Sequence, residues 1–310
     1  MKMATNNYLS KDKIIMSKKT LKQLQEVEVH ELNQRLADQI SAMQAQQTLK
    51  DAMLYSVEAG GKRIRPLIIL ATCASFEREI DASVFAVAGS LEFIHTYSLI
   101  HDDLPEMDND DLRRGKPTNH KVYGQALAVL AGDGLLTAAF EWLAQAGLPA
   151  EKNVALLAEL AHAAGPQGMV DGQARDIEGE HQQLTLPQLQ VLHAGKTGAL
   201  IRYAFIAGAQ LSAASFQQEE ILSDFGAKYG LAFQIYDDIL DVTSTEEEMG
   251  KAVHKDEAEN KNTYPTLLGL TGAQDKLTEV LSQARADLTQ LAATGIKCDL
   301  FEELLGYFKI

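Results

Sequence analysis

The chain has 310 residues, a formal net charge of −15 and 46% hydrophobic residues. An acidic balance of that size excludes a nucleic-acid footprint and an electrostatic anchor to anionic lipid. With 7 Pro and 22 Gly the chain is too poor in turn formers for a loop-rich or all-β architecture.

Residues 1–20 are polar and lysine-rich, with Lys2, Lys11, Lys13, Lys18 and Lys19 and no apolar h-region. They read as a disordered leader, with Met16 as an alternative start, ahead of one domain over 21–310. From Leu21 onward apolar residues recur at helical spacing between good helix formers, and no strand alternation is evident. The spacing predicts helices over 20–45, 48–59, 65–76, 81–103, 123–147, 151–164, 167–180, 186–193, 196–212, 216–241, 262–270, 274–292 and 299–308. Gly60-Gly61, Pro105, Gly115-Lys116-Pro117, Gly165-Pro166 and Gly250 punctuate them. The stretch Ala126–Leu148 is apolar nearly all round and belongs inside a larger bundle. An all-α, single-domain helical bundle follows.

No segment reaches the roughly 18 uncharged apolar residues that span a bilayer. The run Ala82–Leu91 stops at Glu92, the run after Tyr123 contains Asp133, and the one after Ala199 contains Arg202. Cys73 and Cys298 stand far apart without metal-type spacing, which fits a reduced, cytoplasmic setting.

Chemistry concentrates in two aspartate clusters, Asp102-Asp103-Leu104-Pro105-Glu106-Met107-Asp108 and Asp237-Asp238-Ile239-Leu240-Asp241, each set in an apolar helical pattern. Paired carboxylates in such places repel and pay desolvation unless cations lie between them. Magnesium suits oxygen ligands and usually takes a substrate phosphate as well. Asp237 and Asp241, four apart, project from one side of a helix. Pro105 should end the first helix near Leu104, with a loop returning Asp108 over the same cation. A solvated face remains the competing account of Asp108-Asn109-Asp110-Asp111.

Basic groups form the second constellation. Gly60-Gly61-Lys62-Arg63-Ile64-Arg65-Pro66 puts two glycines before three cations, so a turn can present Lys62 and Arg65 to an anion. Arg113-Arg114 follow the first aspartates, Lys196-Thr197-Gly198 opens a later helix and Lys251 follows Gly250. His95 reads on its own as a core histidine. Arg175-Asp176, after Gly168–Gln173, either packs the interior or lines the cleft. His120, His162, His181 and His193 lack zinc spacing, and no glycine run spells a nucleotide loop.

The motifs GGKRIRP, HTYSLIHDDLPEMDNDDLRRGKPTNH, GDGLL, LHAGKTGALI, FQIYDDILD and TYPTLLGL, in this order and spacing, resemble the trans-isoprenyl diphosphate synthases, most of all the bacterial farnesyl diphosphate synthase group. The resemblance implies antiparallel helices around a deep cavity, a homodimer, and two substrates, isopentenyl diphosphate and an allylic diphosphate. It implies that Asp102, Asp103, Asp108, Asp237, Asp238 and Asp241 bind three magnesium ions and through them the allylic diphosphate. Arg113, Lys196, Lys251 and Lys261 would hold that diphosphate, Lys62, Arg65, His95 and Arg114 the isopentenyl one, and Thr197 and Gln234 would flank the reacting carbon. The reaction implied is ionisation, condensation and elimination. Tyr97, five residues before Asp102, would stop the growing tail at fifteen carbons where Ser98 is too small to do so, and the two residues Pro105-Glu106 between the aspartates agree with that length. Geranylgeranyl synthesis is the alternative.

Three departures from the family pattern stand out: His254 in place of glycine, Asp171 in place of a small residue, and a C-terminus Tyr307-Phe308-Lys309-Ile310 without arginine. A terpene cyclase would lack the second aspartate cluster and the basic site. A non-catalytic prenyltransferase subunit would have lost one cluster, and a calcium module would need a 12-residue ligand loop that the sequence does not contain.

Overall fold

The computed structural model of the chain describes residues 19–180, 182–244 and 262–309. Lys251, His254 and Lys261, most of the leader expected over 1–20, and His181 lie outside the described residues. The described chain forms α1 (Leu21–Ser41), α2 (Gln47–Val57), α3 (Ile64–Ser75), α4 (Ala82–Asp102), α5 (Asn119–Tyr123), α6 (Gln125–Ala144), α7 (Ala150–Ala164), α8 (Met169–Gly179), α9 (Leu186–His193), a π-turn (Ala194–Gly198), α10 (Ala199–Leu211), α11 (Phe216–Thr243), α12 (Tyr264–Ala293) and α13 (Asp299–Leu305).

Helices begin where a side chain can take the first free backbone N–H groups. Thr20 with Gln23 and Ser215 with Gln218 close capping boxes on α1 and α11, and the Asp81 carboxylate accepts from the Ser83 and Val84 N–H groups at the start of α4. The two helices expected over 262–270 and 274–292 follow one another within α12, divided by a kink where Gly269 leaves the helical region with φ 72 and ψ 164.

The all-α expectation holds, and α4 is its centre, packed by α3, α6, α1 and α10. Phe205 meets Phe225 edge-on at 5.0 Å and Phe225 meets Phe301 at 5.9 Å, which fastens α10, α11 and α13 together. These rings hold the N-terminal half of α11 and α12 packs against the same helix, which carries the second aspartate cluster near its C-terminal end.

By length and composition alone, α4 and α6 could each cross a membrane. α4 is a core helix, its apolar window 78% buried, whereas that of α6 is only 39% buried. The expectation that Ala126–Leu148 is enclosed on all sides therefore needs correction. Val129 and Leu130 are exposed at 39% and 54%, because α6 covers α4 with one face and nothing in the described chain covers the other.

Candidate active site

At its C-terminal end α4 reaches a polar surface, with Asp102 its last residue and Asp103 its cap. After Pro105 the chain turns back, so that the Asp108 N–H donates to the Asp102 carbonyl at 2.9 Å and the Asn109 N–H to that of Leu104 at 3.0 Å. The loop thus returns Asp108 to the helix end that carries Asp102, as the proline position predicts.

Asp103 is 3% exposed, and Nε and Nη2 of Arg113 both lie 2.6 Å from its Oδ1. Arg113 arrives there on a β-ribbon that the sequence reading misses, Leu112 pairing with Pro117 and Arg113 with Lys116. Two-residue strands are too short to show an alternation. Their turn, Arg114-Gly115, has φ 55 and φ 75, the left-handed pair that a two-residue hairpin needs.

Opposite these aspartates stands α8. Gln173 Nε2 donates to Asp102 Oδ1 at 2.5 Å, and one turn further on Asp176 accepts from Lys196 Nζ at 2.5 Å. Of the two readings left open for this segment, lining the cleft is the one the structure supports, while Arg175 turns outward onto Asp171 at 2.6 Å. Gln173 and Asp176 are the residues that sequence reasoning left unassigned. Their three-residue spacing on a helix facing the lysine motif was the available signal.

Lys196 and Thr197 sit in the π-turn, a wide single turn of the kind often found at functional sites. Its backbone fits only against glycine, because a Cβ on Gly172 would lie 1.9 Å from the Lys196 backbone nitrogen. Gly172→Ala is therefore expected to displace Lys196 and Thr197, lowering kcat at least tenfold and the melting temperature by several degrees. Unchanged kcat and melting in that variant would show that the close approach does not position the turn.

From Thr197 a hydrogen-bond chain runs into the second cluster. Thr197 Oγ1 donates to Gln234 Oε1 at 2.9 Å, Gln234 Nε2 donates to Asp238 Oδ1 at 3.0 Å, and the Tyr264 N–H at the start of α12 donates to Asp238 Oδ2 at 2.9 Å. Asp237 and Asp241 lie one turn apart on α11. Asp241 is 5% exposed and its Oδ2 has no hydrogen-bond partner.

Burial pushes the Asp103 carboxyl up to about 6, with Arg113 offsetting only part of the effect. Burial also raises Asp102, against the pull of Lys196 and helped by repulsion from Asp108. For Lys196 burial works the other way, but Asp102 and Asp176 outweigh it and hold the ammonium above its ordinary range. Buried carboxylates with disfavoured anions, an orphaned oxygen on Asp241 and an all-oxygen donor set fit a hard divalent cation such as magnesium. Among the described residues no group of three His, Cys, Asp or Glu side chains forms a ready cage. Phosphate oxygens and water would complete the shell, as they usually do for magnesium.

Two cavities adjoin at Arg65 and His95. The larger, about 350 Å³, has Asp102, Lys196 and Thr197 at its head and Met169, Val170 and Ile177 along one wall. The smaller, about 270 Å³, is lined by Lys62, Arg65, Arg114 and His95. All four residues expected at the isopentenyl site thus meet in one place. Gly61 admits the Arg114 guanidinium, to which a Cβ would come within 2.5 Å. Arg63 instead turns inward onto Glu92 at 2.5 Å, each side chain 2% exposed, and fixes the backbone between its two neighbours. Burial lowers Arg65 to about 10, still protonated at neutral pH, and its buried Nε has no partner. Burial, with four arginines around it, keeps His95 well below its usual range, hence neutral, and its Nε2 lies 3.2 Å from Arg65 Nη1. Lys62 Nζ donates to the Tyr307 hydroxyl at 2.8 Å.

Tyr97 and Ser98 both line the larger cavity, Tyr97 only 7% exposed.

The Polyprenyl synthetase family model matches residues 46–294. The chain is 49% identical over 274 residues to a farnesyl diphosphate synthase of Geobacillus stearothermophilus, which covers 87% of this chain and 92% of that protein. It is 46% identical over 243 residues to a chloroplastic geranylgeranyl pyrophosphate synthase of Capsicum annuum, covering 77% of this chain and 66% of that one. Its fold superposes with a TM-score of 0.77 on a geranyltransferase of Helicobacter pylori complexed with magnesium and isoprenyl diphosphate, at 36% identity over 90% of this chain and 94% of the other.

Proposed function

The chain belongs to the polyprenyl synthetase family, and from that we propose that it condenses isopentenyl diphosphate with dimethylallyl or geranyl diphosphate to give (2E,6E)-farnesyl diphosphate. One observation carries the reading: a carboxylate-headed, apolar cavity and one that gathers Lys62, Arg65 and Arg114 adjoin at Arg65 and His95. That pairing would suit two diphosphates held in different ways, the first with room for a hydrocarbon tail.

The allylic substrate would lie with its diphosphate at Asp102, Asp103, Asp108, Asp237, Asp238 and Asp241 and its tail towards Tyr97. Bound magnesium, for which three ions are proposed, would supply charge stabilisation for the leaving diphosphate. Lys196 exchanges Asp176 for a phosphate oxygen, and Arg113 shares itself between Asp103 and the same anion. Lys251 and Lys261 are proposed as further cations for it. The allylic C–O bond breaks and its electron pair leaves with the diphosphate. Thr197, whose proton is committed to Gln234, turns its oxygen lone pairs to the cation so formed. Isopentenyl diphosphate, held by Lys62, Arg65, Arg114 and the neutral His95, adds its double bond to that cation. The C2 proton then passes to the departed diphosphate. No protein nucleophile is involved.

Geranylgeranyl synthesis is the second reading, favoured by relatives of that name; the bulky Tyr97 in the cavity wall favours fifteen carbons. The uncovered face of α6, with Val129 and Leu130 exposed, supports a homodimer built on that helix.

Purified protein incubated with magnesium, labelled isopentenyl diphosphate and each allylic primer should yield mainly the fifteen-carbon product. Absence of any elongated product would overturn the reading. Lys62→Ala and Arg114→Ala should raise the KM for isopentenyl diphosphate about tenfold or more, since a charged hydrogen bond is worth roughly 1.5–3 kcal/mol. Arg113→Ala should weigh on the allylic substrate instead. Equal losses for both substrates in all three variants would refute the assignment of the two cavities.

A further inference from the structure

The larger cavity has a second aromatic wall that the reading so far leaves without a role. His101 lines it beside Tyr97, one helical turn nearer the aspartates, and the two rings meet edge-on at 5.7 Å and 76°. The imidazole is fixed from outside α4. Its Nε2–H donates to the Val129 carbonyl of α6 at 3.0 Å, a bond that makes Nε2 the protonated nitrogen. The ring lies directly against Gly132, where an added Cβ would come within 2.1 Å of Nε2 and 2.5 Å of Cδ2. Any side chain at 132 must therefore move the imidazole, and one way open to it is the cavity.

We propose that His101, seated on Gly132, is a specificity-determining residue that sets the width of the tail passage just above Tyr97. Resting on the farnesyl reading, this makes the stop a device of two helices. Tyr97 closes the passage along the α4 axis. His101, held by α6, closes the gap between α4 and α6 through which a longer tail would slip past the Tyr97 ring. The absent side chain of Gly132 determines how far the imidazole stands back. A wall of this kind acts on the tail after each five-carbon addition and leaves the isopentenyl cavity, on the other side of Arg65 and His95, untouched.

The wall predicts opposite shifts from its two halves. His101→Ala removes the ring and should raise the twenty-carbon to fifteen-carbon product ratio at least fivefold over the parent. Gly132→Ala pushes the ring inward and should shift product towards ten carbons, raising the share of geranyl diphosphate at least fivefold when dimethylallyl diphosphate is the primer. The double variant, in which the new methyl has no ring to push, should return the ten-carbon share to the parent level. In all three the KM for isopentenyl diphosphate should stay within about twofold of the parent. Circular dichroism and melting of each variant identify any that fail to fold, and the remaining variant and the double still decide. Product ratios that stay at the parent value in His101→Ala, or shifts of the same sign in both single variants, would overturn the proposal. A parent that makes mainly twenty-carbon chains would refute the farnesyl reading alone, since the opposite shifts would still be read relative to that parent.

Discussion

Asp102→Ala and Asp237→Ala are each expected to lower turnover about a thousandfold or more, some 4 kcal/mol of transition-state stabilisation, without loss of helical structure. The Asp102 carboxylate in particular is held in the folded chain at a cost. The Asp102 anion is disfavoured by burial and by Asp108, and its one described side-chain hydrogen bond is to Gln173. Replacing it relieves that penalty, so the melting temperature should hold or rise, the usual signature of a residue kept for activity. Charge developing on diphosphate as the C–O bond breaks is where such groups have their effect, through bound cation. Magnesium together with a diphosphate should raise the melting temperature of the parent by mass action and that of either variant much less. The decisive measurements are kcat and thermal shift with and without chelator. Near-parent turnover in either variant, or full activity of the parent in excess chelator, would sink the proposal that these residues act through a metal.

How much was readable in advance follows from what each feature depends on. The helices and the aspartate placement rest on local pattern. Pro105 alone predicts that α4 stops and the loop returns, and the backbone bonds of Asp108 and Asn109 show it doing so. The four residues expected at the isopentenyl site come from three separate segments, and they meet in one cavity; the family resemblance pointed to them, whereas His95 by its local pattern reads as a core residue. Features that depend on one helix touching another were not legible. The π-turn under Lys196 exists because Gly172 of a different helix lets the backbone in, and nothing within Lys196-Thr197-Gly198 announces it. The Arg114-Gly115 hairpin is too short for any periodic signal. Arg63, one of the three cations in Lys62-Arg63-Ile64-Arg65, is a buried strut, which the local sequence does not announce because its partner Glu92 lies 29 residues away. The open face of α6 was missed for a complementary reason: apolar residues all round a helix say that it must be covered, and not by which chain.

Tyr97→Ala is expected to change the main product from fifteen to twenty carbons or longer, with a modest cost in overall rate. Tyr97 lies five residues before Asp102 on α4, hence about 7.5 Å along the axis at about 1.5 Å per residue, on the side away from the diphosphate. The structure shows it as a buried wall of the 350 Å³ cavity whose head carries Asp102 and Lys196, so a tail growing away from the aspartates is directed at its ring. Ser98 lines the same cavity, but its hydroxyl turns back to donate to the His95 carbonyl at 2.9 Å, and it is too small to meet the tail sooner. Loss of a buried ring should cost roughly 3 kcal/mol of stability, felt as a lower melting temperature, while the reacting groups one turn and more away keep their places. The isopentenyl KM should therefore stay near the parent value even as product length changes, which separates a lengthened cavity from a damaged site. Tyr97→Phe, which keeps the ring and drops only the hydroxyl, should still stop at fifteen carbons. If sizing of the dephosphorylated products shows Tyr97→Ala stopping at fifteen, or Tyr97→Phe running on to twenty, the ring is not what ends elongation, and the wall formed by His101 and Gly132 would have to do so unaided.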